Sequence, residues 1–199
     1  MSQLEVKRLS LVPAQPWKNG GGVTRLLAER DCDWRVSLAN VEANGPYSRF
    51  DGMTRLSLIV DGKGVVLRGA ERVLPLEYLV PTIYDGSIDW TASLIDAPVV
   101  ALNIMARTDR YVPSAQILHT EATLPPGSAA VILAGHSRCV VYGDDGTAIA
   151  IPPGQFLAIA SVVKPMRVVR DAGSPIGNHP PVVALIESIE NRASRSNFA

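Results

Sequence analysis

Apolar and polar residues along this chain form short runs of strand length, separated by frequent turn residues. The runs are rich in Val, Ile, Leu and Thr, and no segment keeps a helical period over three turns. Many short strands with regular turn signals predict an all-β protein, a sandwich or a barrel. The predicted strands are Trp34–Asn40, Leu56–Val60, Gly64–Leu67, Val99–Met105, Ala129–Leu133, Cys139–Tyr142, Thr147–Ile151, Phe156–Ala160 and Val182–Ile186.

Turn sequences of similar character recur in the two halves of the chain. Val60–Leu67 and Tyr142–Ile149 both place Asp-Gly pairs between apolar strands, and such pairs supply the positive φ of a two-residue hairpin. This repetition predicts two consecutive small β-barrels joined near Asp109–Pro113. We assign residues 1–110 to a first barrel and residues 111–190 to a second barrel. Residues 191–199 are interpreted as a polar tail, with a short helix near 187–193 as the alternative.

Composition excludes several classes of partner. Lys plus Arg number 19, as do Asp plus Glu, so no global charge directs the chain to nucleic acid or to an acidic membrane. No apolar run approaches the ~20 residues of a membrane-spanning helix. Glu5, Lys7 and Arg8 stand where a secreted protein would carry an apolar stretch, so we expect a cytoplasmic protein.

The scarce cysteines and histidines disfavour a metal centre. Cys32 and Cys139 are far apart and form no CxxC pair, so two reduced thiols are expected. The three histidines, His119, His136 and His179, show neither HxH nor HExxH spacing. We therefore expect no metal site, no cofactor and no Ser/His/Asp triad.

A glycine-rich segment near the N-terminus is the first candidate for chemistry. Gly20, Gly21 and Gly22 are costly to order, and they suit a sharp bend or the close approach of a ligand. Lys18 and Asn19 precede them and offer a cation and an amide to a carboxylate or a carbonyl. A plain glycine-rich turn is the alternative; a phosphate loop is not, because the GxxxxGK[ST] pattern is absent.

Two later strands carry arginine and serine on one face. Alternation puts Arg35 and Ser37 on the same side of Trp34–Asn40, and it puts Arg55 and Ser57 on the same side of a later strand. If these strands are neighbours, both guanidinium groups point at one spot, which suits a carboxylate. Exposure of this face to solvent is the alternative.

Asn103 is a polar residue inside an apolar strand. It shares a face with Met105. A buried amide needs a hydrogen-bond partner, which is either a ligand or a neighbouring backbone group.

Together these segments resemble the HutD/Ves family over roughly Pro16 to Arg107. The resemblance rests on WKNGGGVTR (Trp17–Arg25), WRVSLA (Trp34–Ala39), GPYSRFDG (Gly45–Gly52) with Arg55, and NIM (Asn103–Met105). It implies a bicupin, with two consecutive cupin-like antiparallel β-barrels of the RmlC-like jelly-roll type and a pocket in the first. Residue by residue, it implies that the pocket is formed by Lys18, Asn19, Arg35, Ser37, Ser48, Arg55 and Asn103.

The chain departs from the family pattern in two places. Pro81–Ser87 lacks one aromatic residue and the final acid, and Ala101-Leu102 replaces an Asp-Phe pair before Asn103. Two acidic positions are thus neutral here, which leaves the ligand and any acid–base role open.

The resemblance implies a regulatory binding protein of histidine utilisation. Pathway intermediates of the urocanate or formylglutamate type carry carboxylates, which suit Lys18, Arg35 and Arg55. Aromatic side chains at Trp17, Tyr47 and Phe50 are expected to wall the cavity. The alanine variant of Arg55 is expected to lose carboxylate binding with little change in Tm.

Two alternatives come from other functional classes. One is a metal-independent isomerase or lyase acting on a small carboxylate, which is less favoured because no general base can be nominated. The other is a dimeric interaction module whose exposed sheet edges pair two chains. The expected partner is a small anionic molecule, with no nucleic acid and no membrane, and a homodimer stays open.

Overall fold

The fold is described by a computed structural model of the chain for residues 4–173 and 179–196. In these residues it is almost entirely β, with one 3-10 turn at Leu9–Leu11 and one helix, α1, at Ile189–Ser196. The strands are β1 (Val6–Arg8), β2 (Ala14–Pro16), β3 (Gly22–Arg30), β4 (Trp34–Val41), β5 (Gly45–Pro46), β6 (Met53–Asp61), β7 (Gly64–Arg68), β8 (Val73–Glu77), β9 (Thr82–Asp85), β10 (Thr91–Leu94), β11 (Val99–Arg107), β12 (Tyr111–Ile117), β13 (Glu121–Leu124), β14 (Ala129–Leu133), β15 (Cys139–Gly143), β16 (Ala148–Ile151), β17 (Gln155–Ile159), β18 (Met166–Arg170) and β19 (Val182–Ser188).

The predicted all-β class is confirmed, and the C-terminal segment is more ordered than expected. Residues 191–196 belong to α1 instead of a polar tail, and residues 197–199 lie outside the described part. Ser188 caps this helix, because its Oγ accepts a hydrogen bond from the Asn191 backbone N–H at 3.2 Å. Among the described residues, no helix has the length and apolarity needed to span a membrane.

The chain divides into two compact units. The first unit is Pro13–Pro113, and the second is Ser114 onward together with the residues up to Val12. The sequence division placed residues 1–110 in the first barrel, but β1 pairs with β17, with Val6 opposite Leu157. A strand this short carries no periodic signal of its own, so its pairing partner more than a hundred residues away was not visible in the sequence.

The first unit consists of two antiparallel sheets. One has the strand order β2-β3-β4-β11-β6-β9, and the other has the order β5-β10-β7-β8. Apolar side chains from both sheets form one buried cluster, and partly buried Trp17 and Tyr47 pack against it. The members of the cluster are Val41, Ile59, Val65, Leu67, Leu76, Tyr84, Trp90, Ala92, Val99 and Ala101.

The second unit repeats this strand order in eight of its nine strands, and β1 is the additional one. Its sheets run β1-β17-β14-β19-β12 and β13-β18-β15-β16. Reading along the chain, β12-β19-β14-β17 corresponds to β4-β11-β6-β9 of the first unit, and β13-β18-β15-β16 corresponds to β5-β10-β7-β8. The expectation of a repeated architecture therefore agrees with the sheet topology.

The two recurring turns have different roles, and neither is a two-residue hairpin. β6 and β7 belong to different sheets, so the residues between Asp61 and Gly64 carry the chain from one sheet to the other. β15 and β16 do form a hairpin, closed by a 2.8 Å hydrogen bond from the Gly143 N–H to the Thr147 carbonyl, with residues 144–147 in its loop. Similar turn residues marked both places because each needs positive φ, at Gly62 and at Gly146.

Candidate functional site

The candidate site lies on the inner face of the six-stranded sheet of the first unit. β11 lies between β4 and β6 and sets the register: Asn103 is opposite both Ser37 and Ser57. One step further from the core, Met105 is opposite both Arg35 and Arg55. Alternation puts all of these side chains on one face, which continues at the other end into the apolar cluster.

The two arginine strands are therefore not neighbours, so the condition under which the sequence placed both guanidinium groups at one spot is not met. β4 and β6 flank β11, and neighbouring strands are about 4.8 Å apart, so the Arg35 and Arg55 backbones are about 10 Å apart. Long guanidinium side chains from both can still reach the space above Met105.

A cavity of about 640 Å³ occupies this end of the inner face. All of the predicted site residues except Ser37 line it. Ser37 is only 3% exposed and lies beneath the cavity, beside Asn103. The residues that line the cavity are Gln15, Pro16, Trp17, Lys18, Asn19, Arg35, Pro46, Tyr47, Ser48, Phe50, Arg55, Asn103 and Met105.

Arg55 is held inside the protein by aromatic rings. Its side chain is 6% exposed, and its guanidinium carbon lies 5.1 Å from the Tyr84 ring, 5.3 Å from Tyr47 and 5.6 Å from Phe50. One terminal nitrogen donates to the Ser48 carbonyl oxygen at 3.1 Å, whereas the buried Nε has no hydrogen-bond partner. The cationic side chain is thus fixed in place with donor capacity still unused.

Arg35 and Lys18 add two further positive charges. Arg35 is half-buried, and its Nε is also buried without a hydrogen-bond partner. Lys18 is exposed at the lip of the cavity. No carboxylate is among the lining residues, and within the described chain none of these three cations takes part in an ion pair. The cavity therefore carries positive charge that the first unit does not balance.

The glycine-rich bend positions the lip of the cavity. Gly22 is required where β3 approaches β4, because a Cβ there would collide with the carbonyl oxygen of Asn40. The Asn19 side chain accepts a hydrogen bond from the Gly21 N–H at 3.0 Å and donates to the Pro46 carbonyl at 3.2 Å. Asn19 lines the cavity as predicted, but both ends of its amide already tie the bend to the neighbouring loop.

The rest of the wall is aromatic and neutral. Tyr47 packs edge-to-face against Trp17 with ring centroids 6.0 Å apart, and Phe50 lines the same cavity. Burial raises the pKa of Tyr47 well above its ordinary value, and the nearby Tyr84 adds to this rise while Arg55 opposes it. The Tyr47 hydroxyl therefore stays protonated near neutral pH, and the cavity keeps its positive charge.

A buried polar chain underlies the cavity and was only partly visible in the sequence. The Ser57 hydroxyl donates to Asn103 Oδ1 at 2.6 Å, and the Tyr84 hydroxyl lies 2.9 Å from the same Ser57 oxygen. Alternation placed Ser57 on the face of Arg55, but nothing in the sequence paired β9 with β6. Tyr84 was therefore missed, as was Gln15 at the lip.

Two further observations concern the chemistry available to the protein. In the described ranges, no cluster of three or more His, Cys, Asp or Glu side chains is arranged to hold a metal ion. A second, smaller cavity of about 390 Å³ lies near β8 and β9, and Tyr84 and Trp90 are among the residues that line it.

Comparisons of sequence agree with the resemblance found in the motifs. The family model described as HutD matches residues 10–161. An uncharacterised 21.2 kDa protein in the hutC 3' region of Pseudomonas putida is 27% identical over 140 residues, 67% of this chain and 74% of that protein. Protein Ves of Citrobacter koseri is 32% identical over 117 residues, which cover 55% of this chain and 60% of its own length.

Comparisons of structure support the cupin-like fold. HutD from Pseudomonas fluorescens SBW25, determined in a formate condition, superposes with a TM-score of 0.74 at 20% identity, over 94% of this chain and 99% of that one. A cupin 2 conserved barrel domain protein from Leptotrichia buccalis gives a TM-score of 0.55 at 12% identity, over 92% and 96% of the two chains. At these identities the likeness concerns the fold alone.

Proposed function

Because this chain belongs to the HutD family, we propose that it binds a small carboxylate anion in the cavity of its first unit and thereby regulates histidine utilisation. The single observation that carries this proposal is the set of unbalanced cations around the cavity, Lys18, Arg35 and Arg55. Guanidinium groups keep their protons in proteins, so the cavity stays positive at neutral pH. An anion that enters it relieves the repulsion and supplies acceptors for unused donors.

The cavity has the size and lining that a small organic acid requires. Its volume of about 640 Å³ lies within the range of roughly 300–1,000 Å³ that is typical of small-molecule sites. Trp17, Phe50 and Met105 offer apolar surface to the carbon part of such a ligand, while the cations and the Asn103 amide face its oxygens. This division suits a carboxylate of the urocanate or formylglutamate type.

The family supplies the biological setting of the proposal. One relative of this chain is named for its position in the hutC 3' region, and a structural neighbour is named HutD. Intermediates of histidine breakdown carry carboxylates, so a cationic cavity is suited to sense their concentration. Binding of such an intermediate in the cavity is the simplest way to connect this site with histidine utilisation.

Isothermal titration calorimetry tests the proposal with urocanate, formylglutamate and glutamate, using the carboxamide of urocanate as the uncharged comparison. The wild-type protein is expected to bind one of the acids and to bind the carboxamide far more weakly. Arg35→Ala should weaken binding by about tenfold or more, because a hydrogen bond to a charged group contributes ~1.5–3 kcal/mol. Arg35 is the preferred position because it has fewer internal contacts than Arg55.

Arg68→Ala is the matched control. Arg68 is an exposed arginine of the same unit, at the end of β7 and outside the cavity. Its replacement should leave the affinity unchanged. Equal affinities of wild type and Arg35→Ala for every acid would refute the proposal, and consumption of an acid during the titration would favour the metal-independent enzyme instead.

A further inference from the structure

We propose that Ser57 and Tyr84 are positioning residues that fix Asn103 as a hydrogen-bond donor toward the bound anion. This inference rests on the proposed binding function and specifies how the same site selects its ligand. Neither residue carries a charge, and Ser57 is 1% exposed, so neither depends on contact with solvent. Their effect is exerted through the Asn103 amide.

The direction of the hydrogen bonds follows from counting hydrogens. A serine hydroxyl has one hydrogen, and Ser57 gives it to Asn103 Oδ1 at 2.6 Å. The Tyr84 hydroxyl lies 2.9 Å from Ser57 Oγ, and because Ser57 has already given away its only hydroxyl hydrogen, Tyr84 must be the donor in this bond. The chain of bonds therefore runs from Tyr84 through Ser57 to the Asn103 carbonyl.

This series of hydrogen bonds leaves the Asn103 side-chain amide with one orientation. Its carbonyl oxygen is occupied beneath the cavity, and in the described residues its Nδ2 group makes no hydrogen bond. An asparagine free to rotate could present either its oxygen or its NH2 group, and the oxygen would repel an anion. With Ser57 in place, the NH2 group of Asn103 is the one left to donate a hydrogen bond to the ligand.

Tyr84 also places the neighbouring cation. It is opposite Arg55 in the β6–β9 register, and its ring lies 5.1 Å from the guanidinium carbon. Trp90 supports the Tyr84 ring edge-to-face at 5.9 Å. One aromatic residue thus orients an amide through its hydroxyl and a guanidinium through its ring, so the two contributions can be separated by substitution.

The expected consequence is a preference for acids over amides beyond what charge alone gives. A carboxylate only accepts hydrogen bonds. A carboxamide also donates them, so it could bond to the side-chain oxygen of a rotated Asn103. Ser57→Ala removes the hydroxyl that holds the amide, so the affinity ratio of urocanate to its carboxamide should fall by about tenfold, the value of one hydrogen bond to a charged group. Tyr84→Phe keeps the ring and should lower the ratio less, because Ser57 can still donate to Asn103.

Two variants serve as matched controls, Ser93→Ala in β10 and Tyr142→Phe in β15. Both residues lie outside the cavity, and in the described chain neither hydroxyl makes a hydrogen bond. They should leave the affinity ratio unchanged. Ser57→Thr retains the hydroxyl and should restore the ratio, which a simple loss of packing would not explain. Equal weakening of both ligands by Ser57→Ala would overturn the proposal.

A measurement on the free protein separates this inference from the proposed function. The side-chain amide signals of Asn103 are identified by NMR as those lost in Asn103→Leu. Ser57→Ala should shift them and speed their exchange with solvent, while Ser93→Ala should not. If wild type binds no acid but these signals respond, the binding function fails and the positioning holds. If Ser57→Ala leaves the Asn103 amide signals unchanged, the proposed positioning of Asn103 by Ser57 is refuted whatever the protein binds.

Discussion

The two units of this protein share a strand order but fill their interiors differently. In the first unit the paired strands β6 and β11 bring Ser57 opposite Asn103, below a cavity. In the second unit the corresponding strands β14 and β19 bring Ala130 opposite Leu185, inside a continuous apolar cluster. The same backbone arrangement thus surrounds a cavity in one unit and a packed core in the other, and the side chains on one inner face decide which.

The two units also differ in whether their buried charged side chains have partners of opposite charge. Near the end of β19, the buried Glu187 forms an ion pair with Arg195 of α1, so the second unit balances this charge internally. Around the cavity of the first unit, Arg35 and Arg55 have no acidic partner in the described chain. Unbalanced charge facing a cavity, and not the fold that the two units share, is what distinguishes the first unit.

The largest expected effect comes from giving the second unit the polar residue of the first. Leu185→Asn places an amide in an apolar cluster without a prepared partner. Because an unsatisfied polar group and a cavity both cost free energy, the free energy of unfolding should fall by about 3 kcal/mol. Urea unfolding measures it. Leu11→Asn, at a leucine that is 75% exposed, is the control and should change stability little. Comparable losses for the two variants would mean that the second interior is not selectively packed.

The next effect concerns Arg55 and revises the expectation drawn from sequence. Since three rings and the Ser48 carbonyl contact the guanidinium group, Arg55→Ala should lower the free energy of unfolding by about 2 kcal/mol as well as abolish carboxylate binding. Thermal and urea unfolding check the first outcome and calorimetry the second. Arg68→Ala should be neutral for both. An unchanged Tm for Arg55→Ala would show that the rings do not hold the cation.

A smaller effect is expected when the first unit is made to resemble the second. The triple variant Ser57→Ala, Tyr84→Phe, Asn103→Leu replaces a whole hydrogen-bonded chain with apolar groups. Removing all partners together leaves no unsatisfied group, so stability should stay within about 1 kcal/mol of wild type. Calorimetry should show that carboxylate binding is lost. A strongly destabilised triple variant would indicate that the polar chain is needed for folding and not only for the site.

The smallest effect at neutral pH separates the two cysteines. Burial raises the pKa of the Cys139 thiol from 9.0 to about 12. Between these values the unfolded chain releases the thiol proton while the folded protein keeps it, so this contribution to stability is complete below pH 9 and is lost as pH rises toward 12. Urea unfolding at pH 8 and pH 10 should show less alkaline loss in Cys139→Ala than in wild type. Cys32→Ala, at an exposed thiol, should behave like wild type, and equal alkaline losses in both variants would contradict the assignment.

Much of the fold was readable from the sequence because buried strands are strongly patterned. Each apolar run that was identified, such as Trp34–Asn40 and Val99–Met105, forms a strand. Most of the missed strands are short or charged: β3 carries Arg25, Glu29 and Arg30 beside its glycine, and its pairing with β4 overrides these local preferences. Strand β12 is longer and uncharged, but Pro113 interrupts its pattern. The residues of helix α1 are almost all polar, so the sequence offers a helix there only as the alternative to a tail.

The candidate site was predictable in its residues and not in its arrangement. Motif resemblance indicated Lys18, Arg35, Arg55 and Asn103, and the structure places all four on one cavity. The insertion of β11 between β4 and β6 depends on pairing across distant segments, which a single sequence does not specify. The same long-range pairing brings Tyr84 beneath Arg55 and leaves Ser37 covered. Neither placement can be predicted from the residues next to Tyr84 or Ser37 in the sequence.

The pairing of β1 with β17 has a consequence for the order of events during synthesis. Strand β1, which the second unit needs, leaves the ribosome before the uninterrupted first unit, and the strand that Val6 faces follows only after that unit. The first unit can therefore complete its fold before β17, the partner of β1, has been synthesised. Domains generally fold as units as they emerge, so the cavity of the first unit should exist on the nascent chain before the packed second core is assembled.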